Sequence, residues 1–397
     1  MKYWIYLNPD VFIWTKGSQA IVYNTVNNQS FRYKLNDSLR IITNNLCNID
    51  NLYCIEIDNL DSSIESWVEK IKDIEAGGIR EVEEDISNMP ISFYPILNLQ
   101  SDEQRFFEKN GNRFSRDNVL SYLHHLTIHL NGIGDNYFYK QIQYPCPSKS
   151  FLSNENLRLI LTQFYGYIIP DICICGTNYF SLLSEDLISL IYKVSKRLTF
   201  FVLFEDYFTD FERIKSLSGS YYKIRLLTKR SSFSMENIGA IINNEKIQFD
   251  FIVENVDDCM YWDTIIEELN IQNYVIKPIA NKNNTQFILD NVFLTQSEIL
   301  QLKFNKREIF SHQVLNSNFF GHLIITPEGK VYSNFNKPEL GTINDSIKFL
   351  LSKELKLKNS WLLIRDNVEC SNCLYQWLCP SISNYELYLQ TKCIKND

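Results

Sequence analysis

The N-terminal residues place apolar side chains in short runs that are separated by turn signals. Turn residues such as Asn8-Pro9-Asp10 and Lys16-Gly17-Ser18 interrupt these runs. Runs of this length that are rich in Tyr, Phe, Ile and Val are typical of β-strands. They predict four strands, at residues 3–7, 12–15, 20–24 and 30–34.

Helices follow these strands. Consecutive N-capping residues predict a helix over residues 36–46, and an apolar run predicts a strand at 53–57. Residues 62–75 repeat apolar side chains at helical spacing, which indicates an amphipathic helix. We therefore predict a compact α+β domain over residues 1–80, and a connector over residues 81–118, where an acidic cluster and prolines interrupt the pattern.

From about residue 119, apolar runs alternate with helical stretches. The runs predict six strands, at 126–131, 171–175, 198–204, 222–228, 248–254 and 273–279. Helices are predicted between them, at 153–165, 181–196, 207–217, 234–243 and 260–269. This alternation is typical of βα repeats in an α/β fold with a parallel sheet. It favours an open, partial (βα)6 barrel over residues 119–312, although a doubly wound sheet has the same local pattern.

The last segment, residues 313–397, has a different pattern. Two β-type runs, 319–325 and 330–332, flank the turn Pro327-Glu328-Gly329 and predict a hairpin. A helix is predicted at 344–355, and a tail dense in cysteine follows it.

Composition and charge narrow the possible partners. Asp and Glu number 47 against 39 Lys and Arg, which leaves a net charge of -8. An acidic excess argues against nucleic acid and against an anionic membrane surface. No run reaches the roughly 18 apolar residues that a membrane span needs, and the N-terminus lacks a signal-peptide cleavage pattern. We expect a cytoplasmic protein whose thiols stay reduced.

Four cysteines in the tail are the sharpest chemical signal. They follow the pattern C-x2-C-x5-C-x13-C, at Cys370, Cys373, Cys379 and Cys393. The C-x2-C spacing lets two thiolates bind one metal from a tight turn, and two more thiolates complete a tetrahedral set that suits Zn²⁺ or an iron–sulfur cluster. Coincidence or two disulfides are the alternatives, and the density of cysteines and the reducing compartment disfavour both.

The tail sequence CSNCLYQWLCPSISNYE, together with Cys393, resembles the end of a SPASM domain. This module follows the catalytic barrel in radical-SAM enzymes that modify peptides. The resemblance implies that the four cysteines hold the second of two auxiliary clusters, so we expect one [4Fe–4S] cluster, or Zn in its place. The resemblance also implies that the first auxiliary cluster is lost, because Ser383 replaces one of its cysteines and the hairpin around Gly329 carries no thiol, with Ser333-Asn334 near one of the expected positions.

The predicted barrel resembles a radical-SAM barrel without its cluster motif. In that family a C-x3-C-x2-C loop follows the first barrel strand, whereas here residues 132–140 contain no cysteine, and the motif occurs nowhere in the chain. The Gly-Gly-Glu-type turn after the second strand is replaced by Gly176-Thr177-Asn178. The resemblance is therefore to the pseudo-radical-SAM/SPASM proteins of ribosomal peptide maturation systems, and it implies that S-adenosylmethionine is neither bound nor cleaved.

Residues 1–80 resemble the winged-helix-like domains that recognise leader peptides. In those domains a three-stranded sheet with three helices accepts the peptide as an added strand. We therefore expect a non-catalytic protein that binds a ribosomal precursor peptide and acts with a radical-SAM/SPASM maturase, and we assign no catalytic residue. The alternatives are an enzyme that modifies a peptide by non-radical chemistry and a zinc-stabilised scaffold protein.

The remaining histidines and cysteines are interpreted as structural. His124, His125 and His129 form H-H-x3-H, but the segment is predicted to be a helix end that runs into a strand. Two cysteines that alternate along a strand, Cys173-x-Cys175, are expected to be buried free thiols. Cys146 lies between two prolines and is expected to be exposed.

Overall fold

The structure is a computed structural model, and it describes residues 2–83, 88–93, 95, 119–133, 138–180, 183–209, 222–239 and 241–390. The strands of these residues form three sheets, two of three strands each and one of nine. The fold is mixed α/β, and its large sheet is mostly parallel. No helix in these ranges is both long enough and apolar enough to cross a bilayer.

The N-terminal unit contains the predicted strands and helices and one further strand. Its elements are β1 (Tyr3–Leu7), β2 (Val11–Lys16), β3 (Gln19–Asn24), β4 (Ser30–Lys34), α1 (Asp37–Leu46), β5 (Cys54–Ile57), α2 (Ser62–Asp73) and β6 (Gly77–Glu81). The sheets have the orders β5–β1–β6 and β2–β3–β4, and both are antiparallel. This differs from the expected single three-stranded sheet with three helices, because the described residues form two such sheets and two α-helices.

Strand β6 was not predicted from the sequence because its first two residues are glycines, which have low β-propensity. Gly77 pairs with Leu7 and Gly78 pairs with Tyr6. A Cβ atom on Gly77 would lie 2.1 Å from the carbonyl oxygen of Tyr6. Glycine is therefore needed here for the close approach of two backbones.

The six predicted barrel strands are all present and all parallel. They are β7 (His125–His129), β8 (Asp171–Cys175), β9 (Leu198–Leu203), β10 (Tyr222–Thr228), β11 (Ile247–Val253) and β12 (Tyr274–Pro278). Their order in the sheet is the order of the sequence. A doubly wound sheet reverses its strand order at a switch point, whereas these six strands follow one another in a single direction, which favours the expected partial barrel.

Helices connect these strands, and all but the first of them cover one face of the sheet. They are α3 (Tyr139–Ile142), α4 (Asn154–Thr162), α5 (Glu185–Val194), α6 (Phe204–Thr209), α7 (Met235–Ile238) and α8 (Val256–Glu268). Alternate strand side chains such as Ile128, Ile174 and Phe200 pack in one cluster with helix residues such as Ile160. The opposite side chains point to the other face, which we call the inner face.

Three short helices precede the C-terminal hairpin and were not predicted: α9 (Thr285–Asn291), α10 (Gln296–Gln301) and α11 (Lys306–Val314). The C-terminal elements are β13 (His322–Ile325), β14 (Lys330–Tyr332), β15 (Gly341–Thr342), α12 (Ile347–Leu357), α13 (Val368–Ser371) and α14 (Asn384–Leu389). Strands β13 and β14 pair antiparallel and confirm the predicted hairpin. Strand β13 also pairs parallel with β7, so the hairpin extends the barrel sheet.

The N-terminal unit packs directly against the cysteine tail. Side chains of β2 and β3 form an apolar cluster with tail residues, among them Phe12, Trp14, Leu374 and Leu378. The other side chains of these strands pack against α1 and α2. Both faces of the β2–β3–β4 sheet are therefore covered, which explains the continuous apolar runs of its first two strands.

Candidate functional site

The segment that follows β7 covers the inner face of the large sheet. Phe138 and Tyr144 from this segment form one apolar cluster with Cys173, Phe201 and neighbouring inner-face side chains. The ring of Tyr144 stacks on that of Phe201, with ring centroids 3.7 Å apart. Through these contacts the chain fills part of its own inner face.

A buried charge pair holds Tyr144 in place. Its hydroxyl donates a hydrogen bond to Asp250, a fully buried carboxylate that is also paired with Arg225. Asp250 accepts a further hydrogen bond from Gln248 at 2.9 Å. Burial, and then the negative charge of Asp250, raise the pKa of Tyr144 well above its ordinary value, so the phenol stays protonated. The Arg225 guanidinium lies 4.5 Å from the Phe201 ring centroid.

The same segment reaches from the end of β7 to the end of β12, the last strand of the six-stranded series. The side-chain amide of Gln141 donates to the carbonyl of Ala280 at 2.8 Å and accepts from the Ala280 N–H at 2.6 Å. Ala280 follows β12, whereas Gln141 follows β7, so this reciprocal pair connects the two ends of the six-stranded series. We call residues 138–147 the inner segment.

Three cysteines are associated with the inner face. Cys173 and Cys175 are fully buried free thiols, as predicted, and their Sγ atoms are 3.8 Å apart. The expectation that Cys146 is exposed was wrong, since only 2% of it is exposed. It packs with Ile324 and Phe335 because the inner segment folds inward, and burial raises its thiol pKa.

His125 and His129 lie on strand β7 and not on a helix, and His124 directly precedes this strand. His125 and His129 occupy the two ends of β7, so about 13 Å of extended chain separates them. His125 Nδ1 is 3.4 Å from a carboxylate oxygen of Asp171. His129 is fully buried, and its burial lowers its pKa to about 3, which keeps the ring neutral. These two side chains cannot share a metal ion as a helical pair would.

The predicted metal ligands begin with a tight turn. Asn367 accepts a hydrogen bond from the N–H of Cys370, and the Cys373 N–H donates to the Cys370 carbonyl at 3.0 Å. Cys373 is half-buried, and burial raises its thiol pKa, with the neighbouring Cys370 adding to the effect. Cys379 is buried in the cluster that the tail shares with β2 and β3.

Across the ranges that the structure describes, no group of three or more His, Cys, Asp or Glu side chains could hold a metal ion. Cys370, Cys373 and Cys379 therefore do not form such a group by themselves. The fourth predicted ligand, Cys393, lies outside the described residues. The four-thiolate site thus stays a prediction.

Two segments that the sequence resemblance singled out, around Ser333 and around Ser383, are joined by hydrogen bonds. Ser383 caps α14, and the side chain of its neighbour Asn384 accepts a hydrogen bond from Asn334 at 2.7 Å. Ser333 donates to the buried carboxylate of Glu354 at 2.7 Å. Two segments 50 residues apart in sequence are thus joined by hydrogen bonds where the resemblance places thiolates.

The N-terminal unit contains a groove of about 600 Å³ that the sequence did not predict. It runs between β4 and α2, next to the start of α1. Its lining combines polar, aromatic and basic side chains: Gln19, Arg32, Tyr33, Lys34, Asn36, Leu39, Ser63, Ser66, Trp67 and Lys70. The one sequence signal was the alternation of Arg32 and Lys34 along β4, which puts two cations on one side of a strand.

Strand β4 offers an open edge to this groove. Within the described chain it is paired on one side only, with β3. The hydrogen bonds from Asn24 N–H to the Gln29 carbonyl and from Leu35 N–H to the Ser18 carbonyl show that odd-numbered residues of β4 bond to β3. The backbone groups of the even-numbered residues, Ser30, Arg32 and Lys34, therefore point outward.

No protein-family model and no curated protein matches the chain. Among solved structures, anSMEcpe with bound AdoMet and the Cp18Cys peptide is 12% identical, with a TM-score of 0.42 over 67% of this chain and 96% of that one. BtrN in an open conformation is 12% identical, with a TM-score of 0.32 over 63% and 92%. Coproporphyrinogen III oxidase (HemN) from Escherichia coli, a radical SAM enzyme, is 11% identical, with a TM-score of 0.34 over 71% and 82%. Structural similarity at this level does not indicate the function of this chain, which must be inferred from its own residues.

Proposed function

We propose that this protein is a non-catalytic partner that binds a ribosomal precursor peptide and presents it to a radical-SAM/SPASM maturase. One observation carries the proposal. The segment after β7 follows the strand where the family has its cluster loop, yet here it places Phe138 and Tyr144 on the inner face. The chain thus combines a missing cluster motif with an inner face that its own side chains occupy.

The occupied inner face is costly to open. Moving Tyr144 away would take a hydrogen-bond donor from Asp250, which is 0% exposed and paired with Arg225. Loss of a hydrogen bond to a charged group typically costs about 1.5–3 kcal/mol. A cofactor that needs this face would have to displace the inner segment against that cost.

The groove beside β4 is the proposed site for the precursor peptide. An extended peptide can form main-chain hydrogen bonds with the outward backbone groups of Ser30, Arg32 and Lys34, as in strand addition. Trp67 and Tyr33 provide an aromatic wall against which peptide side chains can pack. Binding of this kind requires no catalytic residue.

The cysteine tail is proposed to support this peptide site. Lys16 of β2 donates to the carbonyl of Ser371 at 2.6 Å, and Arg32 of β4 donates to the hydroxyl of Tyr375 at 2.5 Å. Both acceptors lie within two residues of a proposed ligand, Cys370 or Cys373. A [4Fe–4S] cluster or Zn²⁺ bound by the tail would supply folding energy to the surface on which the N-terminal unit rests.

The alternative of an enzyme with non-radical chemistry is motivated by a second pocket of about 520 Å³. It lies past the carboxyl ends of β10 and β11, where barrel chemistry is usually found. Its carboxylates are already engaged, since Asp258 is 3.5 Å from Arg230 and Glu254 accepts from Asn281 at 2.9 Å. This engagement favours the binding role over catalysis.

The test uses the full chain purified without oxygen. It is incubated with S-adenosylmethionine, dithionite and a ribosomal precursor peptide of a radical-SAM maturation system. We expect no 5′-deoxyadenosine and an unchanged peptide mass, together with saturable peptide binding by calorimetry. Formation of 5′-deoxyadenosine would overturn the non-catalytic role, and a peptide mass change without it would favour the alternative enzyme.

A further inference from the structure

The groove beside β4 has an unusual charge for this chain. Its described lining includes three cationic side chains, Arg32, Lys34 and Lys70, and no carboxylate. The chain as a whole carries a net charge of -8. A concentration of one sign of charge in a concave site raises the local concentration of ligands of the opposite sign.

The three cations come from two elements that face each other across the groove. Arg32 and Lys34 are exposed residues of β4, and Lys70 is an exposed residue of α2. The Lys70 ammonium lies 5.9 Å from the ring centroid of Phe31, which places it over β4. A peptide strand added at the β4 edge would therefore pass near cations on both walls.

The floor of the groove is aromatic and includes a buried donor. Trp67 is only 2% exposed, and its ring packs edge-on against Tyr33 with ring centroids 5.9 Å apart. The indole N–H lies near the Tyr33 hydroxyl without reaching hydrogen-bond geometry with any described residue. These two rings give the groove an apolar floor below its cationic walls.

We infer that the groove selects an extended acidic peptide segment, in which carboxylates alternate with apolar side chains. This inference rests on the proposed peptide-binding function and specifies the chemistry of its ligand. The period of two follows from strand addition, because successive side chains of the added strand point to opposite sides. The carboxylates would pair with Arg32 and Lys34, which share one side of β4. The apolar side chains would pack against Trp67 and Tyr33 on the other side, where Lys70 adds to the attraction of the acidic segment at longer range.

The test uses three fluorescein-labelled nine-residue peptides and the full chain. Each peptide alternates Val with a second residue, which is Glu, Gln or Lys, and carries Phe at its centre. Fluorescence anisotropy at low salt should show tightest binding for the Glu peptide, and binding should weaken as salt is raised because salt screens exposed charges. Lys70→Glu should weaken binding of the Glu peptide roughly tenfold, and Lys34→Glu should do likewise.

Lys72→Glu is the matched control for Lys70→Glu. Both residues lie in the last turn of α2 and are exposed, so both reversals disturb the helix dipole equally. Lys72 does not line the groove, so its reversal should leave the affinity for the Glu peptide within about twofold. An equal loss in the two variants would overturn the assignment to the groove.

The outcomes separate this inference from the function on which it rests. Equal affinity for the Glu and Gln peptides would overturn the charge selectivity and leave peptide binding intact. No binding of any of the three peptides would overturn both, because the groove would then not accept a strand. Preference for a single-stranded oligothymidylate over the Glu peptide would also overturn the inference, since the cations would then serve phosphates.

Discussion

Replacement of Tyr144 tests whether the inner segment is a packed part of the barrel. The ring of Tyr144 stacks on Phe201, and its hydroxyl donates to the buried carboxylate of Asp250. Tyr144→Phe removes only the hydroxyl, whereas Tyr144→Ala removes the stacked ring as well. The two variants therefore separate the hydrogen bond from the packing.

The structure sets the expected magnitudes. A hydrogen bond to a charged group contributes about 1.5–3 kcal/mol. Asp250 keeps its contacts with Arg225 and Gln248 in the Phe variant, so the loss of unfolding free energy should be near the lower end, about 2 kcal/mol. Truncation of a buried aromatic ring costs about 3–5 kcal/mol, so Tyr144→Ala should lose about twice as much.

The assay is the thermal midpoint of unfolding measured by circular dichroism. At about 2–4 °C for each kcal/mol in a domain of 150–250 residues, Tyr144→Phe should lower the midpoint by roughly 4–8 °C and Tyr144→Ala by roughly 8–16 °C. Tyr165→Phe is the control, because Tyr165 is 64% exposed and its hydroxyl is in water. A midpoint for Tyr144→Ala within about 2 °C of the wild type would refute the packed inner segment.

Three further variants test the buried histidine, the tail and the N-terminal sheet. Because burial lowers the pKa of His129 to about 3 from 6.5, the unfolded chain takes up a proton first as the pH falls, so the stability from the neutral ring is complete above pH 6.5 and lost toward pH 3. His129→Leu should therefore flatten the acid-side fall of the thermal midpoint, which corresponds to a slope of up to about 1.4 kcal/mol of unfolding free energy per pH unit. An identical pH profile for the variant and the wild type would contradict this. Cys373→Ser should lower both the metal content and the stability of the tail, because a four-thiolate site that has lost one ligand binds its metal weakly. Unchanged metal content by mass spectrometry would refute the ligand assignment. Gly77→Ala should lower the free energy of unfolding in urea by about 1–3 kcal/mol, because the new Cβ would lie 2.1 Å from the Tyr6 carbonyl oxygen. Gly239→Ala is the control, because Gly239 has open space around it, and it should have little effect. Equal effects of the two variants would count against the close β1–β6 contact.

The proposed functions divide between two parts of the molecule. The large sheet retains the parallel winding but has its inner face occupied by residues 138–147, whereas the N-terminal unit keeps an open strand edge beside a basic groove. The tail connects the two parts, since it packs on β2 and β3 and follows the hairpin that extends the barrel sheet. The proposed peptide binding at the N-terminal unit therefore does not depend on chemistry at the inner face of the large sheet.

The sequence by itself determined the local elements with strong periodicity. The apolar runs at 171–175 and 222–228 coincide with β8 and β10, and the hairpin around Gly329 formed where the turn residues predicted it. These features depend on side-chain alternation and turn chemistry, which act over a few residues. Local signals failed where glycine replaced β-branched residues, as at Gly77, and where prolines beside Cys146 suggested an exposed loop.

The tertiary structure alone decided how these elements meet. The strand order favours barrel winding over a doubly wound sheet, because both have the same local pattern and differ only in which strands pair. The contact of Tyr144 with Asp250 joins residues 106 positions apart, and the contact of Arg32 with Tyr375 joins residues 343 positions apart. Such contacts arise from burial and charge in the assembled fold, which no short stretch of sequence encodes.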